Sequence, residues 1–118
     1  MKKSYTDLEQ SKKLAEILSH DYADGTWKRV AIAGINLNVP EEQQYFHDGD
    51  TPFVFYSGVG IPSWSLAALL DILPSSTLDS SNGHHYRLHC MGMFSEWYAN
   101  PIDACVAMIE KLNEQKLL

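Results

Sequence analysis

The side chains able to do chemistry fall into three groups. The first is His84, His85 and His89 with Cys90 beside them, a set that invites a metal. On a strand His84 and His85 point to opposite faces. His85 and His89 share a face, but at roughly 3.3 Å per residue their Cα atoms stand about 13 Å apart. A zinc ion with bonds near 2 Å cannot be shared across that gap without other ligands, so a polar strand face and no metal is expected. The second group is Asp48 and Asp50, with Glu41, Glu42 and His47 nearby. Carboxylates in a loop suit a hard cation. The run Asp48, Gly49, Asp50, Thr51, Pro52 is first of all a turn, however, and a solvated charged loop is expected.

The third group is the glycine loop from Ser57 to Ser63. An apolar strand at 53–56 would lead into Gly58-x-Gly60, and a helix would follow, capped by Ser63. That order can hold an anion on helix N–H groups. The third glycine of a dinucleotide fingerprint is replaced by Ser63, and the lysine of a phosphate loop is missing. Gly58, Gly60 and Ser63 therefore support only an alternative function, a small enzyme or anion- or ligand-binding domain. No G-x-S-x-G anchors a serine triad. No catalytic residue and no cofactor is expected.

These groups must be positioned by the elements around them. Asn100 caps a final helix and Pro101 fits its first turn. Ile102, Cys105, Val106, Ile109 and Leu112 make its apolar stripe. Thr6 and Glu9 form a capping box for a first helix reaching Leu18, with Leu8, Leu14, Ala15 and Leu18 inward. Strands are expected at 27–35 and 53–56, and polar loops at 36–51 and 75–83. Residues 86–98 alternate as strand, with Tyr86, Leu88 and Cys90 on one side and His85, Arg87 and His89 on the other. Gly92 is either a bulge or a tight hairpin turn.

The helix expected from Trp64 to Leu73 is apolar nearly all round. Leu66, Leu69, Leu70 and Leu73 form one stripe; Trp64, Ala68 and Ile72 form a second. Such a helix must be covered on more than one side. Either the chain covers both stripes, or Trp64, Ala68 and Ile72 form a contact surface for a protein partner or a second copy.

The 118 residues suffice for one domain, 1–118, and 45% apolar content argues against disorder. A net charge of −6, without a basic arm, disfavours nucleic acid, which needs a cationic face. No apolar run approaches the roughly 20 residues of a membrane span. The basic N-terminus leads into a polar helix, so no signal peptide is expected. Cys90 and Cys105 read as free buried thiols of a reducing cytoplasm. The element order gives the α+β class: a small, mainly antiparallel sheet of three or four strands packed by three helices.

Three segments carry a resemblance: L-E-Q-S-K-K-L-A-E-I-L from Leu8, P-S-W-S-L-A-A-L-L-D-I-L-P from Pro62, and N-P-I-D-A-C-V-A-M-I-E-K-L-N-E from Asn100. Together they resemble a family of small uncharacterised proteins that recur in gut bacteria, in prophages and mobile elements. The resemblance implies three helices around a sheet. It brings no activity, cofactor or catalytic residue. The expectation is a small cytoplasmic, non-enzymatic interaction protein of phage or mobile-element origin.

Overall fold

The computed structural model describes residues 3–30 and 40–118. Three helices lie among them, α1 (Leu8–Ala15), α2 (Leu66–Ile72) and α3 (Pro101–Glu114). Six strands form two antiparallel sheets of three rather than one sheet of three or four. β1 (Gly25–Arg29) lies between β2 (Tyr45–Asp48) and β3 (Gly60–Ser63). β4 (Ser76–Ser81), β5 (His85–Cys90) and β6 (Met93–Phe94) form a meander. This is an α+β fold, as the sequence indicates.

α3 follows its pattern closely. The Asn100 side chain accepts from the Asp103 N–H at 2.9 Å, and Pro101 opens the helix. Ile102, Cys105, Ile109 and Leu112 are wholly buried, with Ala104 and Met108 added to the stripe. Leu14 of α1, Trp64, Leu69 of α2 and Leu88 of β5 complete the centre of the core.

Elsewhere tertiary pairing overrides local pattern. α1 is capped by Asp7 with Gln10, not by Thr6 with Glu9, and it ends at Ala15 rather than Leu18. The Thr6 hydroxyl is buried and occupied, at 2.7 Å from Ser11 Oγ and accepting from the Trp64 N–H at 3.2 Å. A side chain so engaged cannot cap. Ser65, not Ser63, caps α2; its Oγ accepts from the Ala68 N–H. Residues 53–56 are no strand: after Pro52, Phe53–Phe55 make one 3-10 turn, with Phe55 81% exposed.

Both polar segments contain strands. β2 falls within 36–51, and β4 occupies most of 75–83. A ladder is made by the backbone, so serine-rich β4 pairs along β5 with Leu78 as its one apolar side chain. The turn between β4 and β5 is made by Asn82 and Gly83. Both adopt left-handed conformations, and the His84 N–H returns to Ser81 O. Gly92 is resolved in the same way. Met91 and Gly92 have φ of 52° and 78°, forming a tight turn between β5 and β6 rather than a bulge. The expected strand at 27–35 begins at Gly25, and its 31–35 portion lies outside the described residues.

Candidate functional site

Two places gather polar and aromatic side chains. The first lies on one face of the β2-β1-β3 sheet. Register sets Trp27 opposite His47 and Gly25 opposite Ser63, so all four share that face. His47 Nε2 reaches over β1 to Ser63 Oγ at 2.7 Å. It can do so because β1 carries glycine at the crossing point. A Cβ on Gly25 would collide with Ser63 Oγ and stand 3.1 Å from His47 Nε2. The Tyr5 and Trp27 rings flank the imidazole, with centroids at 4.5 and 4.9 Å. Tyr5 donates to Gly49 O and Trp27 Nε1 to Thr6 O, fixing both rings.

Burial lowers the His47 pKa, only partly opposed by Asp48 and Asp24. Burial first, and then the same acidic neighbours with Asp50, raises that of Tyr5. A hydroxyl beside a neutral imidazole has the form of a nucleophile and its base. Ser63 has no exposed surface, however, so no substrate reaches its oxygen. The cluster clamps the N-terminal segment and three strands together. Asp24 completes the clamp by accepting from the Ser65 N–H at 2.8 Å and from the Ser65 hydroxyl, tying the start of β1 to the cap of α2.

The sequence-derived candidates separate on this scaffold. Gly58 is exposed, Gly60 opens β3, and Ser63 faces His47, so the three do not form an anion cradle on the short α2. Trp64 is wholly buried, Ala68 is 9% exposed, and Ile72 packs on the core. The chain itself covers Trp64 and Ala68 and partly covers Ile72. Asp48 is on the sheet face opposite His47. It accepts from Lys28 at 2.6 Å and from the Thr51 hydroxyl at 2.8 Å, and these bonds hold its carboxyl far below the usual range. Glu41 pairs with Lys12. Among the described residues no three His, Cys, Asp or Glu side chains converge as metal ligands. Cys90 and Cys105 are free and buried.

The second place is the outward face of the β4–β6 meander. Register puts Thr77, Asp79, His85, Arg87, His89 and Phe94 on it. The Arg87 guanidinium lies over two rings, 4.3 Å from the Phe94 centroid and 4.6 Å from that of Trp97. Its Nη2 also donates to Asp79 at 3.2 Å. His89 stacks flat on Phe94 at 4.2 Å. Phe94 and Trp97 nonetheless remain 45% and 44% exposed. Alternation from His85 to His89 signalled this face. The contributions of Phe94 and Trp97 depend on the Met91–Gly92 turn folding β6 back, and on Tyr98 bridging Tyr86.

No protein-family model, curated protein or solved structure matches this chain. No helix among the described residues is long and apolar enough to cross a membrane.

Proposed function

We propose that the chain is a cytoplasmic, non-enzymatic interaction protein that binds a protein partner through the outward face of β4, β5 and β6. The observation that carries this reading is the Arg87 guanidinium lying over the half-exposed rings of Phe94 and Trp97. Rigid aromatic side chains and arginine are the residues that concentrate binding energy at protein interfaces. Stacking orders this set before any partner arrives, which lowers the entropy cost of association. Arg87 is paired with Asp79 on this face and flanked by His85 and His89. The face suits a partner surface offering hydrogen-bond acceptors beside aliphatic or aromatic groups. Two free buried cysteines fit a reducing compartment. The phage or mobile-element setting rests on the family resemblance alone.

The test is cross-linked affinity capture from the native host with wild type and with the Phe94→Ala/Trp97→Ala double variant, both checked by circular dichroism. Wild type should retain a defined partner, in stoichiometric yield, that the folded double variant loses. Equal capture by both, or none by wild type, sinks the proposal.

A further inference from the structure

β4 is an edge strand, and its free side can be read from the partners of β5. Leu88 and Tyr86 direct their backbone groups away from β4: Leu88 O accepts from Ser95, and Tyr86 exchanges both bonds with Tyr98. In an antiparallel strand backbone groups alternate sides. His85, Arg87 and His89 therefore turn theirs toward β4, where register sets them against Ser81, Asp79 and Thr77. The N–H and C=O groups of Ser76, Leu78 and Ser80 are left pointing outward, and no described residue bonds them.

Exposed edges are normally guarded by charged side chains, above all lysine, by proline or by a bulge. β4 reads Ser76-Thr77-Leu78-Asp79-Ser80-Ser81 in unbroken register with β5, and its one charge, Asp79, is taken up by Arg87. Its first five residues are nearly palindromic about Leu78. We infer that β4 pairs antiparallel with β4 of a second copy of this chain, about a two-fold axis through Leu78, making one continuous six-stranded sheet.

That register is selected by chemistry. With Leu78 opposite its own counterpart, Ser76 lies opposite Ser80 of the other copy. Every outward N–H and C=O of these three residues then finds a partner. Thr77 falls opposite the other copy's Asp79, an uncharged donor facing a carboxylate. Centring on Asp79 would set two carboxylates directly opposite each other, which is unfavourable. A strand that fills its own edge so completely specifies a second copy rather than a foreign strand. The two-fold axis is perpendicular to the sheet, so both Phe94–Arg87–Trp97 faces emerge on the same side. Edge pairing alone buries less than the roughly 1,200 Å² of a stable interface, so the dimer is a reversible, concentration-dependent one.

Thr77 is exposed and outside the core, which makes it the test position. Sedimentation velocity across a concentration series should show monomer and dimer in exchange for wild type. Thr77→Asp sets carboxylates opposite each other at two places in the seam and should weaken the dimer about tenfold; Thr77→Lys sets an ammonium opposite Asp79 and should tighten it by a similar factor. Ser80→Pro removes an outward N–H without touching the bond set to β5, and should also weaken association. Circular dichroism confirms that each variant is folded; should Ser80→Pro misfold, the two Thr77 variants decide. A wild type monomeric throughout the series overturns the inference, as do Thr77 variants that shift the equilibrium in the same direction or not at all.

Discussion

His47 and Ser63 are joined by a 2.7 Å hydrogen bond that passes over the central strand of the first sheet at Gly25. The bond exists because one residue in that strand has no side chain. Gly25→Ala should therefore destabilise the fold by about 1–3 kcal/mol, the ordinary cost of overpacking. Ser63→Ala should cost less, about 1 kcal/mol, because the half-buried imidazole can turn to water. Thermal or urea denaturation measures both. A Gly25→Ala variant as stable as wild type would mean that the clamp is loose.

The same histidine gives acid sensitivity of a definite sign. Its folded pKa lies below the ordinary value of 6.5, chiefly through burial. The unfolded chain therefore takes up this proton first. The stability His47 contributes is fully present above pH 6.5 and falls as pH drops from there through the folded pKa. His47→Gln should flatten the stability profile in that window. Parallel curves for wild type and variant would show that the loss arises elsewhere.

Asp103 joins three parts of the chain: it accepts from Lys3 at 2.8 Å, Gln10 at 2.7 Å and Asn100 at 2.7 Å. Burial would raise its pKa, but these donors outweigh it and the value lies below 3.8. Its contribution is present above that value and is lost as pH falls through the folded pKa. Asp103→Ala should cost about 2 kcal/mol at neutral pH by removing charge-assisted bonds. Denaturation at pH 7 and at pH 3 should show a gap that narrows in acid.

Burial shapes the two thiols. Cys105 is wholly buried on α3 and its pKa is pushed up to about 12. Cys90 is also raised by burial, and its thiol donates to Pro74 O. Neither presents a thiolate, the form that reacts. Titration with a thiol reagent should find no rapid modification of the native protein and two groups in denaturant. Fast labelling of the native state would show that the core opens readily.

The parts legible in the sequence are those where one element states its own boundaries. α3 has a cap, a proline and a single apolar stripe, and it folds accordingly. The helix carrying Leu66 to Ile72 is also evident, but the choice between Ser63 and Ser65 as its cap depends on where β3 ends. Strands β2 and β4 are hidden because each lies in a largely polar stretch and its pairing is supplied by a neighbour. The His47–Ser63 contact joins residues on strands that touch only through β1, and no local spacing announces it. The outward face was half visible, since alternation set His85, Arg87 and His89 together. Phe94 and Trp97 reach it through a turn whose geometry depended on Gly92.

No backbone ladder connects the two sheets among the described residues; the main packing between them runs through the helices, α1 against β3 and α3 against β5. Each sheet is therefore expected to open as its own cooperative unit, although one core joins them. The meander closes through short turns, whereas the first sheet is sealed by the Thr6 amide on the Trp64 carbonyl, far along the chain. Native-state hydrogen exchange should divide the amides into two groups, those of β1 and β3 opening together with Thr6 and those of β5 with Tyr86 and Tyr98. A single exchange free energy for all of them would make the protein one unit after all. If there are two, the surface proposed to bind can loosen or tighten without disturbing the half that holds the histidine clamp.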